Sequence, residues 1–157
     1  MAGSLDVMLN HAAAACARRG AQLTDLRRQV LRLVLEADQP VGAYALLDRL
    51  KETRASAAPP TVYRALDFLL EQGLIHKVER LNAYVGCVET QHGQAGEDHD
   101  HGHPHQFLIC SRCGATTEIS DAAVTQALTG AAARAGFRLH HATVEAEGLC
   151  ARCGMDG

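Results

Sequence analysis

Cys110-Ser111-Arg112-Cys113 is answered, after thirty-six intervening residues, by Cys150-Ala151-Arg152-Cys153, and each pair is followed by a glycine, Gly114 or Gly154. A Cys-X-X-Cys turn aims two thiolates at one point, and two such turns supply the four soft ligands of a tetrahedral zinc. Glycine is expected to relieve crowding after the second sulfur. One pair alone could work as a redox dithiol. Two, with no thioredoxin-like strand and helix after either, favour metal. Four protein ligands leave no open coordination position, so the expected zinc is structural and closes the loop between residues 110 and 153. The working chemistry must lie elsewhere.

An enzyme is the competing class, either a zinc hydrolase or a dithiol oxidoreductase. The chain has no His-Glu-X-X-His helix and no Ser/His/Asp arrangement, and a closed four-cysteine zinc does not activate water. At 157 residues, 47% hydrophobic and 21% charged, the chain reads as ordinary globular protein. No apolar run reaches the length of a membrane span, and the start lacks a basic segment followed by an apolar one, so a cytoplasmic protein is expected. The net charge of -3 conceals an asymmetry: residues 1–84 carry eleven Lys/Arg against nine Asp/Glu, whereas residues 85–157 carry four against nine. A mildly basic N-terminal part could face phosphate while the acidic remainder faces away.

The elements that must position these groups follow from periodicity and capping residues. Ser4 is expected to cap a helix to about Arg19, and Thr24 a second whose apolar stripe is Leu26, Val30, Leu33 and Val34. A third helix is predicted from about Ala43 to Thr53. Pro60 suits the first position of a fourth, running to about Gln72 and stopped by Gly73. Leu74 to Val88 alternates as two strands around Leu81-Asn82. Helices followed by such a ribbon follow the order of a winged helix-turn-helix, whose last helix enters the DNA major groove. Here that helix begins Thr61-Val62-Tyr63-Arg64. From the pattern alone two readings stand: Arg64 and Tyr63 read bases, or Tyr63 packs and Arg64 is a solvated charge.

A polar, Gly- and His-rich stretch, Gln91 to Pro104, marks a boundary. Beyond it, strands are expected at Gln106 to Ile109, Ala115 to Ile119 and Phe137 to Glu147, with a helix from about Asp121 to Ala135 capped by Ser120. The class is therefore α+β. Residues 1–84 would be a DNA-binding winged helix, 85–104 a hinge and His-rich loop, and 105–157 a zinc-stapled α/β domain. Cys16, on an Ala-rich helix, reads as packing.

The run from Pro59 to Gly73, with His76-Lys77-Val78-Glu79, Tyr84-Val85, Cys87, Glu145-Ala146, Gly148-Leu149 and both cysteine pairs, resembles the ferric-uptake-regulator family of bacterial metal-responsive repressors. Within that family it is most similar to the zinc-uptake-regulator branch, over about Leu23 to Gly154. The resemblance implies a homodimer, paired through the C-terminal domain, that binds palindromic double-stranded operator DNA when metal is bound. It implies no membrane and no small-molecule substrate. It also implies a second, regulatory zinc, hence at least two per chain, held by His76, Cys87, His103 and Glu118, with His105 as the substitute for His103. A thiolate, two imidazoles and a carboxylate make a plausible tetrahedral zinc shell, and the Cys87 sulfur disfavours harder metals such as manganese. Taken alone, Cys87 would equally be a buried thiol and His76 an ordinary strand residue.

This ion would join the two domains across the hinge and select one relative orientation. A third site could use His99, His101 and His141, although His99 and His101 also fit a polar loop that binds metal adventitiously. The implied DNA contacts are Arg64 to bases, with Tyr63 and Thr61 beside it for phosphate or base edges, Tyr44 in support, and Arg27, Arg28 and Lys77 to phosphate. A sensor of iron, manganese or peroxide is the alternative within the family.

Overall fold

A computed structural model describes residues 2–87 and 105–155. The chain divides into two compact units, Met1–Ala95 and Gly96–Gly157. The first begins with α1 (Ala2–Arg18), α2 (Asp25–Glu36), α3 (Ala43–Lys51) and α4 (Pro59–Glu71). A two-stranded antiparallel ribbon follows, β1 (Ile75–Val78) and β2 (Ala83–Gly86). This is the helix-then-ribbon order of a winged helix. α1 starts upstream of Ser4, so Ser4 lies inside the helix and caps nothing. Thr24 does cap α2, its Oγ1 accepting from the Arg27 backbone N–H at 3.4 Å. α3 ends two residues earlier than its apolar spacing predicts.

Both Pro59 and Pro60 fit the first turn of α4, where a missing N–H costs no hydrogen bond. The helix closes in a Schellman turn: Gly73 donates to the Leu70 carbonyl at 3.0 Å and Leu74 to the Leu69 carbonyl at 2.9 Å. That closure needs φ of 69° at residue 73, which glycine adopts without strain. The core is one cluster built from the apolar stripes, including Leu9 of α1, Val30 and Val34 of α2, Leu46 and Leu50 of α3, and Val62, Leu66 and Leu69 of α4. Cys16 is buried in it, as packing requires.

Between β1 and β2 the chain makes a single 3-10 turn, Glu79–Leu81, then Asn82 at φ 47°, the left-handed conformation asparagine tolerates. Ile75 and Tyr84 of the ribbon join the helical core. The alternation of strand side chains then turns His76, Val78, Ala83 and Val85 to the opposite face. An unanticipated third segment is tied to this ribbon. Val41, just ahead of α3, and Tyr84 exchange backbone hydrogen bonds of 3.0 and 2.8 Å.

The second unit holds β3 (His105–Cys110), β4 (Thr116–Ile119), α5 (Ala122–Arg134), β5 (Thr143–Gly148) and a single turn of helix, α6 (Ala151–Gly154). Its sheet runs β4-β3-β5, with β4 antiparallel and β5 parallel to the central strand. β5 is shorter than the alternation from Phe137 predicts. His105, the first residue of β3, pairs with Thr143, and the described residues offer no strand partner to 137–142. The cap of α5 is Asp121 rather than Ser120, and the cause is Gln106. This glutamine is 2% exposed; its Nε2 donates to the Asp121 carbonyl at 3.1 Å, and its Oε1 accepts from the Asp121 N–H at 3.2 Å. Asp121 is thereby held outside the helix, and its carboxylate accepts from the Ala123 N–H at 2.8 Å.

Candidate metal centre and DNA-reading helix

Parallel pairing explains how cysteines nearly forty residues apart converge. Cys110, the last residue of β3, lies in register with Gly148, the last of β5, so both knuckles leave the same end of the sheet. Ser111 fastens the two ends, its N–H donating to the Gly148 carbonyl at 2.9 Å. Arg112 reaches across the knuckles to the Cys153 carbonyl at 3.0 Å. Gly114, at φ 75°, turns the chain back into β4.

The four sulfurs of Cys110, Cys113, Cys150 and Cys153 lie within 4.8 Å of one another, and Cys113 and Cys150 are 3.7 Å apart. Zinc–sulfur bonds of about 2.3 Å in a tetrahedron put sulfurs about 3.8 Å apart, so the donor set fits the ion. The glycines are not there to relieve crowding. A Cβ at Gly114 would meet nothing within 4 Å, and one at Gly154 only Leu149 at 4.0 Å, so Gly114 serves its left-handed backbone and Gly154 is unconstrained.

Proton affinities in the cluster are split. The backbone N–H of Cys113, then that of Cys150, lowers the Cys110 thiol to about 6, and the Cys153 backbone lowers Cys150. Cys153 is pushed up to about 12, first by its hydrogen bond to Cys150. Amide donors thus stabilise the first negative charges, and the last sulfur keeps its proton to bridge them. Arg152 adds a cation whose charged form is favoured by Cys113 and then Cys150. Neither arginine's part was drawn from the sequence, although each occupies the third position of its Cys-X-X-Cys.

His76 and Cys87 belong to the ribbon. His76 pairs with Val85, and the Cys87 N–H donates to Leu74 at 3.1 Å, so both side chains lie on the ribbon face turned from the helical core. They are 9% and 5% exposed. In the second unit, Glu118 sits opposite Phe107 on the strand face it shares with His105. His105 Nδ1 lies 3.8 Å from Glu118 Oε1, and the other carboxylate oxygen is buried with no hydrogen-bond partner among the described residues. An orphaned buried carboxylate oxygen is costly unless a cation meets it. The His141 ring lies beside His105, tilted at 57°, with ring centroids 6.1 Å apart. His99, His101 and His103 lie outside the described residues.

On α4, Val62, Ala65, Leu66 and Leu69 face the core, which leaves Tyr63 and Arg64 exposed and Thr61 partly so. Tyr44 at the start of α3 is 67% exposed. Lys77 pairs with Glu79 at 3.3 Å. The other two basic residues are engaged inside the first unit. Arg28 donates to Asn10 Oδ1 at 2.8 Å, while Arg27 donates to the Gln22 carbonyl at 2.8 Å and lies 3.7 Å over the Phe68 ring.

Residues 18–147 match the model of the ferric uptake regulator family. The chain belongs to the ferric uptake regulator family. Among its relatives, the "Zinc uptake regulation protein" of Escherichia coli (strain K12) is 45% identical over 146 residues, 93% of this chain and 81% of that protein. Among solved structures, a zinc uptake regulator complexed with zinc and DNA is similar at a TM-score of 0.83, with 44% identity over 97% of this chain and 96% of that one. The structure called holo XcZur is similar at a TM-score of 0.76, with 42% identity over 94% of this chain and 96% of that one. The mixed helix and sheet fold and the four-cysteine cluster are those expected of the family. No helix among the described residues is long and apolar enough to cross a membrane.

Proposed function

We propose that this family member is a zinc-responsive repressor that acts in the cytoplasm, not an enzyme, and binds a palindromic operator as a dimer to control zinc-uptake genes. The observation that carries the reading is the near full-length similarity to a zinc uptake regulator complexed with zinc and DNA. Each chain would hold at least two zinc ions. One is the closed four-cysteine site, whose full ligand set leaves no position for activating water. The regulatory one uses His76, Cys87, Glu118 and an imidazole from His103 or His105, and the closeness of His105 to Glu118 favours His105.

In this reading residues 1–84 read DNA, 85–104 form the hinge and 105–157 pair the subunits. The regulatory ion has ligands on both sides of the hinge, so its binding favours one domain arrangement over the rest. A coupling of about 1 to 3 kcal/mol raises operator affinity roughly 5- to 150-fold, and DNA tightens zinc by the same factor. Arg64, Tyr63 and Thr61 contact bases, with Tyr44 and Lys77 beside them.

The test is operator binding against buffered free zinc, with manganese and ferrous iron in parallel, on duplexes selected by the zinc-loaded protein from a random-sequence pool. Zinc is expected to drive binding at the lowest free concentration. Stronger activation by ferrous iron or manganese, or binding indifferent to metal, would overturn the reading.

A further inference from the structure

We propose that Arg27, with Arg19, is a positioning residue for DNA reading and not a phosphate contact: the two guanidiniums clamp the trailing end of α4 and set the angle at which its leading end meets the bases. This rests on α4 being the DNA-reading helix, as proposed above.

The Schellman closure occupies the Leu69 and Leu70 carbonyls but leaves the Gln72 carbonyl projecting at the negative end of the helix dipole. Arg19, from the end of α1, donates Nη1 to that oxygen at 2.7 Å. One turn back, Phe68 is part-buried against the helical core, and the Arg27 guanidinium lies 3.7 Å over its ring. That cation is itself tethered, its Nη1 donating to the Gln22 carbonyl ahead of α2. One arginine therefore holds the backbone of the α4 terminus and the other its flank, from two different elements.

Arg19 is held at the far end of α4, and Arg27, whose ring partner Phe68 is one turn from Arg64, is committed to that ring and to the Gln22 carbonyl. Gln72 is eight residues beyond Arg64, about 12 Å along the axis at about 1.5 Å per residue. The same distance makes the clamp matter. A tilt of about 5° at the trailing end displaces the leading end by about 1 Å over that length. Bidentate base contacts do not tolerate such a shift, whereas phosphate contacts from flexible side chains do.

The two roles separate in a salt titration. Full-length, zinc-loaded protein is measured on its selected duplex and on an unrelated duplex of equal length, as wild type, Arg27→Met, Arg27→Lys and Arg19→Met, with a thermal melt as the folding control. Arg27→Met is expected to weaken the selected duplex about three- to tenfold and leave the unrelated one within about twofold, with the slope of log affinity against log salt unchanged. Arg27→Lys should recover part of the loss. A slope flatter by about 0.9, with both duplexes weakened alike, is the mark of a phosphate contact and overturns the proposal, as does unchanged selectivity. If Arg27→Met does not fold, exposed Arg19 carries the same comparison. A wild type that prefers no duplex overturns the DNA reading itself.

Discussion

At the scale of single residues, the chemistry of this chain is mostly sulfur. Cys87 is not one of the four cluster cysteines and lies on the ribbon face beside His76. Cys87→Ser is expected to abolish zinc-dependent operator binding and lower the metal content by one zinc per chain, with the four-cysteine zinc kept; plasma mass spectrometry and a gel-shift titration check both. The cluster itself carries a pH signature. Cys110 is lowered from 9.0 to about 6 and so is already thiolate at neutral pH, whereas Cys153, pushed up to about 12, must give up its proton when a metal enters. Zinc affinity should therefore fall as pH falls. Below about pH 6 Cys110 also binds a proton that zinc must displace, so the decline steepens. Chelator competition across pH 5 to 8 would show this as a break in slope; a straight, shallow line would contradict it.

Among the elements, the paired glycines give a contrast. Gly114→Ala should cost about 1 to 2 kcal/mol because it forces a left-handed Cβ, while Gly154→Ala should be neutral or slightly stabilising, since residue 154 is helical. Chemical denaturation of the zinc-loaded variants measures both. Gln106→Leu strips the partners from the Asp121 N–H and carbonyl and should cost about 1 to 3 kcal/mol in the same experiment. That glutamine also marks where sequence reading ran out. Local signals located α4 to within two residues, the start of α2 and both cysteine knuckles. Asp121 outranked Ser120 as a cap through a contact fifteen residues away. Arg27 and Arg28 looked like free cations, and only packing supplied Phe68 and Asn10. The proposal of His76, Cys87 and Glu118 as one ligand set rests on family likeness alone; nothing local distinguishes a ligand thiol in a strand from a packed one.

For the whole molecule, the proposed dimer gives a further expectation. In the second unit Phe137 is 70% exposed, Leu149 54% and Leu108 46%, more apolar surface than a small isolated unit comfortably shows water. Sedimentation should find twice the 16.8 kDa chain mass, and Phe137→Asp should shift the profile toward the single chain if that surface is shared. The first unit has a different consequence, which follows from the two hydrogen bonds between Val41 and Tyr84. They weld the ribbon, one residue pair from its turn, to the threshold of α3, so the ribbon works as a crank fixed to its shaft. A torque on the face turned from the helical core, where His76 and Cys87 sit, is delivered to the helices with little bending lost along the way. The Val41 and Tyr84 amide hydrogens should accordingly trade with deuterium at the pace of the helical core, long after those of the ribbon's tip.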